Sequence, residues 1–122
     1  MADTHLDHNV LSALQDVMEE EYPVLLDTFL SDSEERLLAL RKAGDAEQLG
    51  ATAHSFKGSS SNMGALRLAE LCSQLEQRAK TLSLADVEQL VADIDGEFAI
   101  IRPLYEAERQ RSLAHTATVR RF

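Results

Sequence analysis

The sequence predicts an all-α protein, an antiparallel four-helix bundle with a short additional N-terminal helix. Leucine and alanine dominate the apolar residues, aromatic residues make up only 5% of the chain, and tryptophan is absent. Apolar residues recur at spacings of three and four nearly throughout, which is the helical period. Glycine, proline and serine divide these periodic stretches into segments of helical length joined by short connections, as in a bundle.

The first two helices are predicted from their entry signals and apolar stripes. Leu6 and Asp7 resemble a helix entry, and a short amphipathic helix follows them. Pro23 suits the first turn of the second helix, because proline lacks the N–H that has no partner there. Gly44 ends that helix. Its inward stripe is predicted to contain Leu26, Phe29, Leu30, Ser33, Leu37 and Leu40.

The remaining helices are predicted in the same way. Asp45 and Gln48 resemble a capping box for a third helix over 46–62, and a fourth runs over about 65–80. Ser83 and Asp86 cap a fifth, in which Pro103 is expected to kink the last turns. The inward residues are predicted to be Leu49, Ala53, Phe56, Ser60 and Met63, then Leu68, Leu71, Cys72, Leu75 and Ala79, then Val87, Leu90, Val91, Ile94, Phe98, Ile101 and Tyr105.

The length of the chain limits the number of domains, and its net charge limits the classes of binding partner. We expect 122 residues to form a single domain over 1–122, with a helical core over about 7–110. Residues 111–122 contain three arginines and no acid, and we expect them to be a frayed basic tail. The net charge of −9 argues against nucleic-acid and anionic-membrane partners. A single cysteine and the lack of a spanning or secretory segment favour the reducing cytoplasm.

Residues 53–64, AHSFKGSSSNMG, are unusual for a helix, and they contain the candidate site. At about 100° per residue, His54 lies on the face opposite the core stripe. Gly50 and Gly58 lie one turn before and after it, although a mid-helix glycine costs about 1 kcal/mol relative to alanine. The simplest reason is steric, because a large partner can then approach the imidazole. The same face carries Glu47, Gly50, Ala51, His54, Lys57, Gly58 and Ser61.

These features are those that a phosphoryl-carrying histidine needs. A neutral imidazole nitrogen is a competent nucleophile, and phosphoryl transfer requires mainly positioning and charge stabilisation. We expect Lys57, at i+3, to disfavour protonation of the His54 ring and to stabilise an anion attached to it. The partner would supply Mg²⁺ and a carboxylate, so no cofactor or metal of its own is expected.

The segment His54-Ser55-Phe56-Lys57-Gly58-Ser59-Ser60-Ser61-Asn62-Met63-Gly64 resembles the motif of the histidine-containing phosphotransfer (HPt) family, H-x-[hydrophobic]-K-G-[S/A]-[S/A]-x-x-[hydrophobic]-G. Every defined position matches, and residues of about 7–110 fit the family's fold. The resemblance implies a phosphorelay carrier in which His54 accepts a phosphoryl group from a receiver-domain aspartate and passes it to a response-regulator receiver. It implies that Lys57 stabilises the phosphate and that Gly58 clears room for docking.

The resemblance also indicates further contacts and partners. The expected partners are receiver domains of hybrid sensor kinases and of a response regulator. Docking is expected around Gly50, Ala51, Gly58 and Ser61. In this family a glutamine and a basic residue of the following helix often assist the phosphohistidine. The matching positions here are Glu76, which departs from the pattern, and Lys80; Gln77 is the possible substitute for Glu76.

Other functions are predicted to be weaker explanations. The chain has no Walker-type or glycine-rich nucleotide motif, so neither ATP binding nor autokinase activity is expected, and it reads as a free-standing monomeric carrier. The main alternative is a non-catalytic helical binding module in which His54 is a passive contact. A metal-binding bundle would need inward Glu-x-x-His pairs, which are absent, and His5 and His8 lack a third ligand in register.

Overall fold

The structure, a computed structural model, describes residues 5–81 and 83–120, with side chains described as far as residue 115. The described residues form five α-helices and no β-strand, which confirms the predicted all-α class. The helices are α1 His8–Met18, α2 Tyr22–Lys42, α3 Ala46–Asn62, α4 Leu66–Arg78 and α5 Glu88–Arg120. Short 3-10 turns at Glu19–Glu21 and Ala85–Val87 lead into α2 and α5.

Helices α2 to α5 form the four-helix bundle. Helix α3 packs against α2 and α4, and α5 packs against the same two helices from the other side. Short connections at 43–45 and 63–65 reverse the chain between consecutive helices, which makes the neighbours antiparallel. Helix α1 contacts the start of α2 and the 3-10 turn before it. Because α3 lies diagonally opposite α5, one long face of α3 remains available to solvent.

The core consists of the stripes that the helical period predicts. Each of α2, α3 and α4 buries all of its predicted inward residues, and in α5 only Val91 is partly buried. Ser33 and Ser60 are fully buried among the apolar residues. Their small side chains let adjacent helices approach closely. Burying the apolar side chains of four helices is the main favourable term for a fold of this kind.

The start of α3 differs from a simple capping box. The Asp45 side chain accepts a hydrogen bond of 2.8 Å from the Gln48 backbone N–H, as predicted. The Gln48 side chain, however, accepts from the Gly44 backbone N–H at 3.0 Å rather than from that of Asp45. Both bonds give partners to donors that would otherwise be unpaired, so the helix begins sharply at Ala46.

The turn after α3 is held by the N-terminal segment. The Asp7 backbone N–H donates to the Gly64 carbonyl at 2.7 Å, and the Leu66 N–H donates to the His5 carbonyl at 3.0 Å. Gly64 has a φ of +74°, and a Cβ there would lie 3.0 Å from the Asp7 carbonyl oxygen. A side chain at this position would meet both an unfavourable backbone conformation and a backbone atom. The last glycine of the motif therefore has a structural role.

The prediction of a frayed tail is wrong for residues 111–120, which continue α5 as helix to Arg120. Ser112 is 1% exposed, so the helix still packs against the molecule there. Arg111 donates to the Glu108 carboxylate at 2.7 and 2.8 Å and to the Gln15 side chain at 2.7 Å. The bond to Gln15 joins α5 to α1. Residues 121–122 lie outside the described residues.

Candidate functional site

The His54 side chain lies at the middle of α3, on the face that the bundle leaves open. It is 68% exposed, whereas its neighbours Ala53 and Phe56 are fully buried. The helical period explains the difference, because residues that pack inward at 49, 53, 56 and 60 direct residue 54 outward. The imidazole is therefore accessible to a large partner.

A carboxylate of the neighbouring helix connects His54 with Lys57. Glu76 of α4 places Oε2 2.6 Å from Nδ1 of His54 and Oε1 2.9 Å from Nζ of Lys57. Glu76 is 19% exposed and Lys57 is 35% exposed, so the bridge is partly shielded. Each carboxylate oxygen has one partner on α3, which fixes the carboxylate relative to the imidazole.

Glu76 is ionised in this arrangement. The hydrogen bond from Lys57 is the largest cause that lowers the pKa of the Glu76 carboxyl, and the hydrogen bond with His54 lowers it further. Burial acts in the opposite direction, but the pKa remains below that of an ordinary glutamate. At neutral pH, Glu76 therefore has no proton to donate and acts as an acceptor only.

The ionised carboxylate determines which imidazole nitrogen is free. A neutral imidazole has one N–H and one lone pair, and the nitrogen beside an acceptor-only group must carry the proton. Nδ1 of His54 is that nitrogen. Nε2 then has an unshared lone pair on a ring that is mostly exposed. The arrangement is suited to nucleophilic attack by Nε2 on an electrophile that a partner delivers.

The electrostatic expectation from the sequence needs a correction. The sequence pattern treats the Lys57 ammonium as the charge that acts on the imidazole. In the structure, the nearest charged group is instead the Glu76 carboxylate, with the opposite sign, and Lys57 is paired with the same carboxylate. By the resemblance, Glu76 departs from the family pattern, because the family often has glutamine at this position. In the structure, the packing of α4 against α3 makes Glu76 the direct hydrogen-bond partner of His54.

The two flanking glycines have different surroundings. A Cβ at Gly58 would meet no atom within 4 Å, so this position is open space beside His54. A Cβ at Gly50 would lie 3.7 Å from the Ala79 Cβ, an ordinary contact with the end of α4. The steric interpretation therefore applies to Gly58, while Gly50 faces the neighbouring helix. Ala51 and Ser61 are exposed on the same side of α3.

A depression of about 630 Å³ lies beside His54, between α3 and the end of α4. Its lining is mostly apolar, and a charged residue from the chain after α4, Lys80, also reaches it. The lining residues are Ala46, Glu47, Gly50, Ala51, His54, Glu76, Ala79 and Lys80. Gln77 is exposed and is not among them, and within the described residues its amide makes no hydrogen bond with His54 or Lys57.

On the other side of α3, helix α2 contributes residues that the sequence did not indicate. The Arg36 side chain donates to the Ser55 hydroxyl at 3.2 Å. It borders a second depression of about 500 Å³, lined by Asp32, Glu35, Arg36, Ala39, Ala51, Thr52 and Ser55. The sequence contains no local signal for this contact, because it depends on how α2 and α3 pack.

The described part of the chain has neither a metal-ligand cluster nor a membrane-spanning helix. It contains no group of three or more His, Cys, Asp or Glu side chains that could hold a metal ion. His5 instead has Nδ1 2.7 Å from Oε2 of Glu97. None of the helices in that part is long and apolar enough to cross a membrane.

The helical bundle with an exposed histidine beside a lysine on its open face fits the class of histidine phosphotransfer proteins, which the motif at 54–64 resembles. Residues 24–116 match the family model of the Hpt domain. Histidine-containing phosphotransfer protein B (HptB) from Pseudomonas aeruginosa PAO1 is 52% identical and covers 90% of this chain and 98% of its own, with a TM-score of 0.82. The chain belongs to the Hpt domain family.

More distant solved structures share the fold. A putative histidine-containing phosphotransfer protein from rice is 17% identical over 90% of this chain and 86% of its own, with a TM-score of 0.78. The HPT domain of a sensor hybrid histidine kinase from Shewanella is 18% identical over 89% and 97%, with a TM-score of 0.75. None of the curated proteins compared with the chain matches it.

Family membership establishes the general function. The chain is a histidine phosphotransfer carrier of two-component phosphorelays, and domains of this family interact with receiver domains. The expected function is thereby confirmed at this level.

Proposed function

We propose that His54 is the phosphorylated residue and that Nε2 is the atom that carries the phosphoryl group. One observation supports this most directly. Nδ1 is engaged by the Glu76 carboxylate at 2.6 Å while the ring is 68% exposed, so Nε2 is the nitrogen with both a lone pair and access to a partner. His54 accepts the phosphoryl group from a receiver-domain aspartate and passes it to the aspartate of a response-regulator receiver.

Neither step of the transfer needs an added acid or base, because no proton is gained or lost. In loading, the Nε2 lone pair attacks phosphorus, the P–O bond to the receiver aspartate breaks, and its electron pair leaves with the aspartate carboxylate. The ring keeps its Nδ1 proton and becomes an imidazolium. In unloading, a receiver carboxylate attacks phosphorus, the N–P bond breaks, and the electron pair returns to Nε2.

The partner completes the site. Receiver domains supply the acceptor carboxylate and bind Mg²⁺, and this chain contributes the histidine, with Lys57 stabilising the phosphoryl charge. We propose that a receiver docks over Gly58, Ser61 and Ala51. The depression bordered by Gly50 and Lys80 extends this surface. We propose that Gln77, which is exposed on α4, also contacts the receiver. The absence of a nucleotide-binding motif in the sequence supports a carrier that neither binds ATP nor phosphorylates itself. We propose a cytoplasmic monomer.

The test is phosphotransfer from a receiver domain that has been charged with acetyl phosphate in the presence of Mg²⁺. Phosphate on this chain is followed by intact mass, in wild type, His54→Gln and His115→Gln. We expect an acid-labile adduct on wild type and on His115→Gln, whose substituted histidine is an exposed one elsewhere in α5. His54→Gln should form no adduct but should still bind the receiver.

Failure of phosphotransfer would contradict the carrier mechanism and would favour the binding-module hypothesis. If several charged receivers leave no adduct on the folded wild type, the carrier mechanism at His54 is wrong. Unchanged partner-dependent function in His54→Gln would then favour the binding-module hypothesis, in which His54 is a passive contact. An adduct on His54→Gln would place the phosphoryl group on another residue.

A further inference from the structure

We propose that Glu76 is a positioning residue for phosphoryl transfer, acting through Nδ1 of His54 in both the loading and the unloading step. This inference rests on the proposed role of His54 as the carrier. Glu76 never touches the phosphoryl group in this scheme. It holds the Nδ1 proton, orients the ring, and stabilises the positive charge that the ring acquires when Nε2 is phosphorylated.

The geometry makes this carboxylate the ring's fixed partner. Oε2 lies 2.6 Å from Nδ1 of His54, and Oε1 is occupied separately by Nζ of Lys57 at 2.9 Å. The imidazole and the ammonium therefore contact different carboxylate oxygens and do not compete for the same one. Glu76 itself is held by α4, because Cys72 and Leu75 beside it are fully buried in the core. A carboxylate held in this way keeps the imidazole in one tautomer and one orientation.

A carboxylate at this position acts differently from the family's usual amide, because the ring becomes positively charged when it is phosphorylated. Attack by Nε2 leaves the proton on Nδ1, so the phosphorylated ring is an imidazolium. A carboxylate at hydrogen-bond distance stabilises that cation, as the carboxylate does for the histidine of hydrolytic triads. The imidazolium form is also the one whose N–P bond breaks readily, because Nε2 then leaves as a neutral ring nitrogen.

The competing explanation is that Glu76 is only a structural ion pair. Its partner Lys57 is 35% exposed, and a partly exposed ion pair between adjacent helices contributes little to stability. A structural role predicts that removing the carboxylate affects unfolding but leaves the transfer rate per folded molecule unchanged. The two roles therefore give different kinetic results.

Two substitutions separate the hydrogen bond from the charge. Glu76→Gln keeps an oxygen that can accept from Nδ1–H but removes the charge, whereas Glu76→Met removes both. Glu70→Gln is the matched control, because Glu70 lies on the same helix, is 59% exposed, and pairs with Arg67 rather than with α3. Circular dichroism and thermal unfolding establish that each variant is folded.

Single-turnover transfer to and from a receiver domain provides the first readout. We expect Glu76→Gln to slow both directions by about 10-fold and Glu76→Met by about 100-fold, the range seen when a metal-binding histidine loses its supporting carboxylate. Glu70→Gln should transfer at the wild-type rate. Glu76→Gln or Glu76→Met transferring at the wild-type rate would overturn the inference.

The tautomer provides a second readout that needs no phosphate. Imidazole ¹⁵N spectra of the unphosphorylated protein distinguish the protonated ring nitrogen from the unprotonated one. We expect His54 to carry its proton on Nδ1 in wild type and Glu76→Gln, and to populate both tautomers in Glu76→Met. A proton on Nε2 in wild type would overturn the inference whatever the transfer rates are.

The two proposals fail in distinguishable ways. A folded wild type that never accepts phosphate overturns the carrier role of His54 and this inference with it. A wild type that transfers normally, together with Glu76 variants that match it, overturns the inference alone.

Discussion

The buried hydroxyl of Tyr105 donates a hydrogen bond of 2.6 Å to the backbone carbonyl of Met63. Met63 caps the end of α3, and Tyr105 lies on α5, diagonally across the bundle. Burial raises the pKa of the Tyr105 hydroxyl, so the group is a neutral hydrogen-bond donor at neutral pH. The end of the helix that carries His54 is thereby fixed to the most distant helix of the bundle.

Replacing Tyr105 with phenylalanine should destabilise the fold without affecting transfer. The Met63 carbonyl would lose its buried partner, at a cost of about 1–3 kcal/mol in the free energy of unfolding. Chemical denaturation measures this change. Transfer by the folded fraction should equal that of wild type, because Tyr105 contacts α3 at Met63, beyond the end of the helix and not at His54. A large loss of transfer at full folding would show that the hydrogen bond also controls the position of the site.

Removing the ammonium of Lys57 should slow phosphotransfer while leaving the fold intact. In Lys57→Met, the developing phosphoryl charge loses a fixed cation, and loss of one such stabilising group lowers rates by about 10²-fold or more. Stopped-flow transfer from a charged receiver measures the rate. Lys42→Met is the control, since Lys42 is an exposed cation at the end of α2. Equal rates for wild type and Lys57→Met would contradict the assigned role.

A small side chain at Gly58 should be compatible with folding, whereas a large one should weaken binding of a receiver domain. A Cβ there meets nothing within 4 Å, so Gly58→Ala should stabilise α3 by about 1 kcal/mol. Gly58→Phe should fold but bind a receiver domain more weakly, because the ring would occupy the proposed docking surface. Calorimetric unfolding and titration with the receiver measure the two effects.

Gly96 of α5 gives a matched comparison for this prediction. A Cβ there also meets nothing within 4 Å, but α5 packs on the side of the bundle away from α3. Gly96→Ala should stabilise the fold by about the same amount, and Gly96→Phe should leave receiver affinity unchanged. Equal loss of affinity in both phenylalanine variants would argue against a docking surface at Gly58.

The Glu76 bridge should be sensitive to acid. The pKa of Glu76 is lowered from 4.5 in the folded protein, so its contribution to stability is complete above about that value and is lost as the pH falls through the lower folded pKa. A ¹³C titration of the Glu76 carboxyl should give a midpoint below 4.5. Lys57→Met should move that midpoint upward, because the Lys57 hydrogen bond is the largest cause of the shift. A wild-type midpoint at 4.5 or above would contradict the bridge.

The sequence by itself determined the helices and the candidate nucleophile. The period of the apolar residues predicted the core stripes of α2 to α5, since one helix face must be buried whatever its neighbours are. The same period placed His54 on the outer face, because residues 53 and 56 are committed to the core. Local signals at Asp45 and Gly64 marked where α3 begins and ends, since caps and turns depend on nearby backbone groups.

Only the tertiary structure decided what surrounds His54. Glu76 is 22 residues away in sequence, and its contact with Nδ1 depends on the register in which α3 packs against α4. The Arg36–Ser55 bond depends in the same way on α2. The helical continuation past residue 110 depends on Arg111 reaching Gln15 of α1 and on the burial of Ser112. These contacts come from the relative placement of whole helices, which no local pattern specifies.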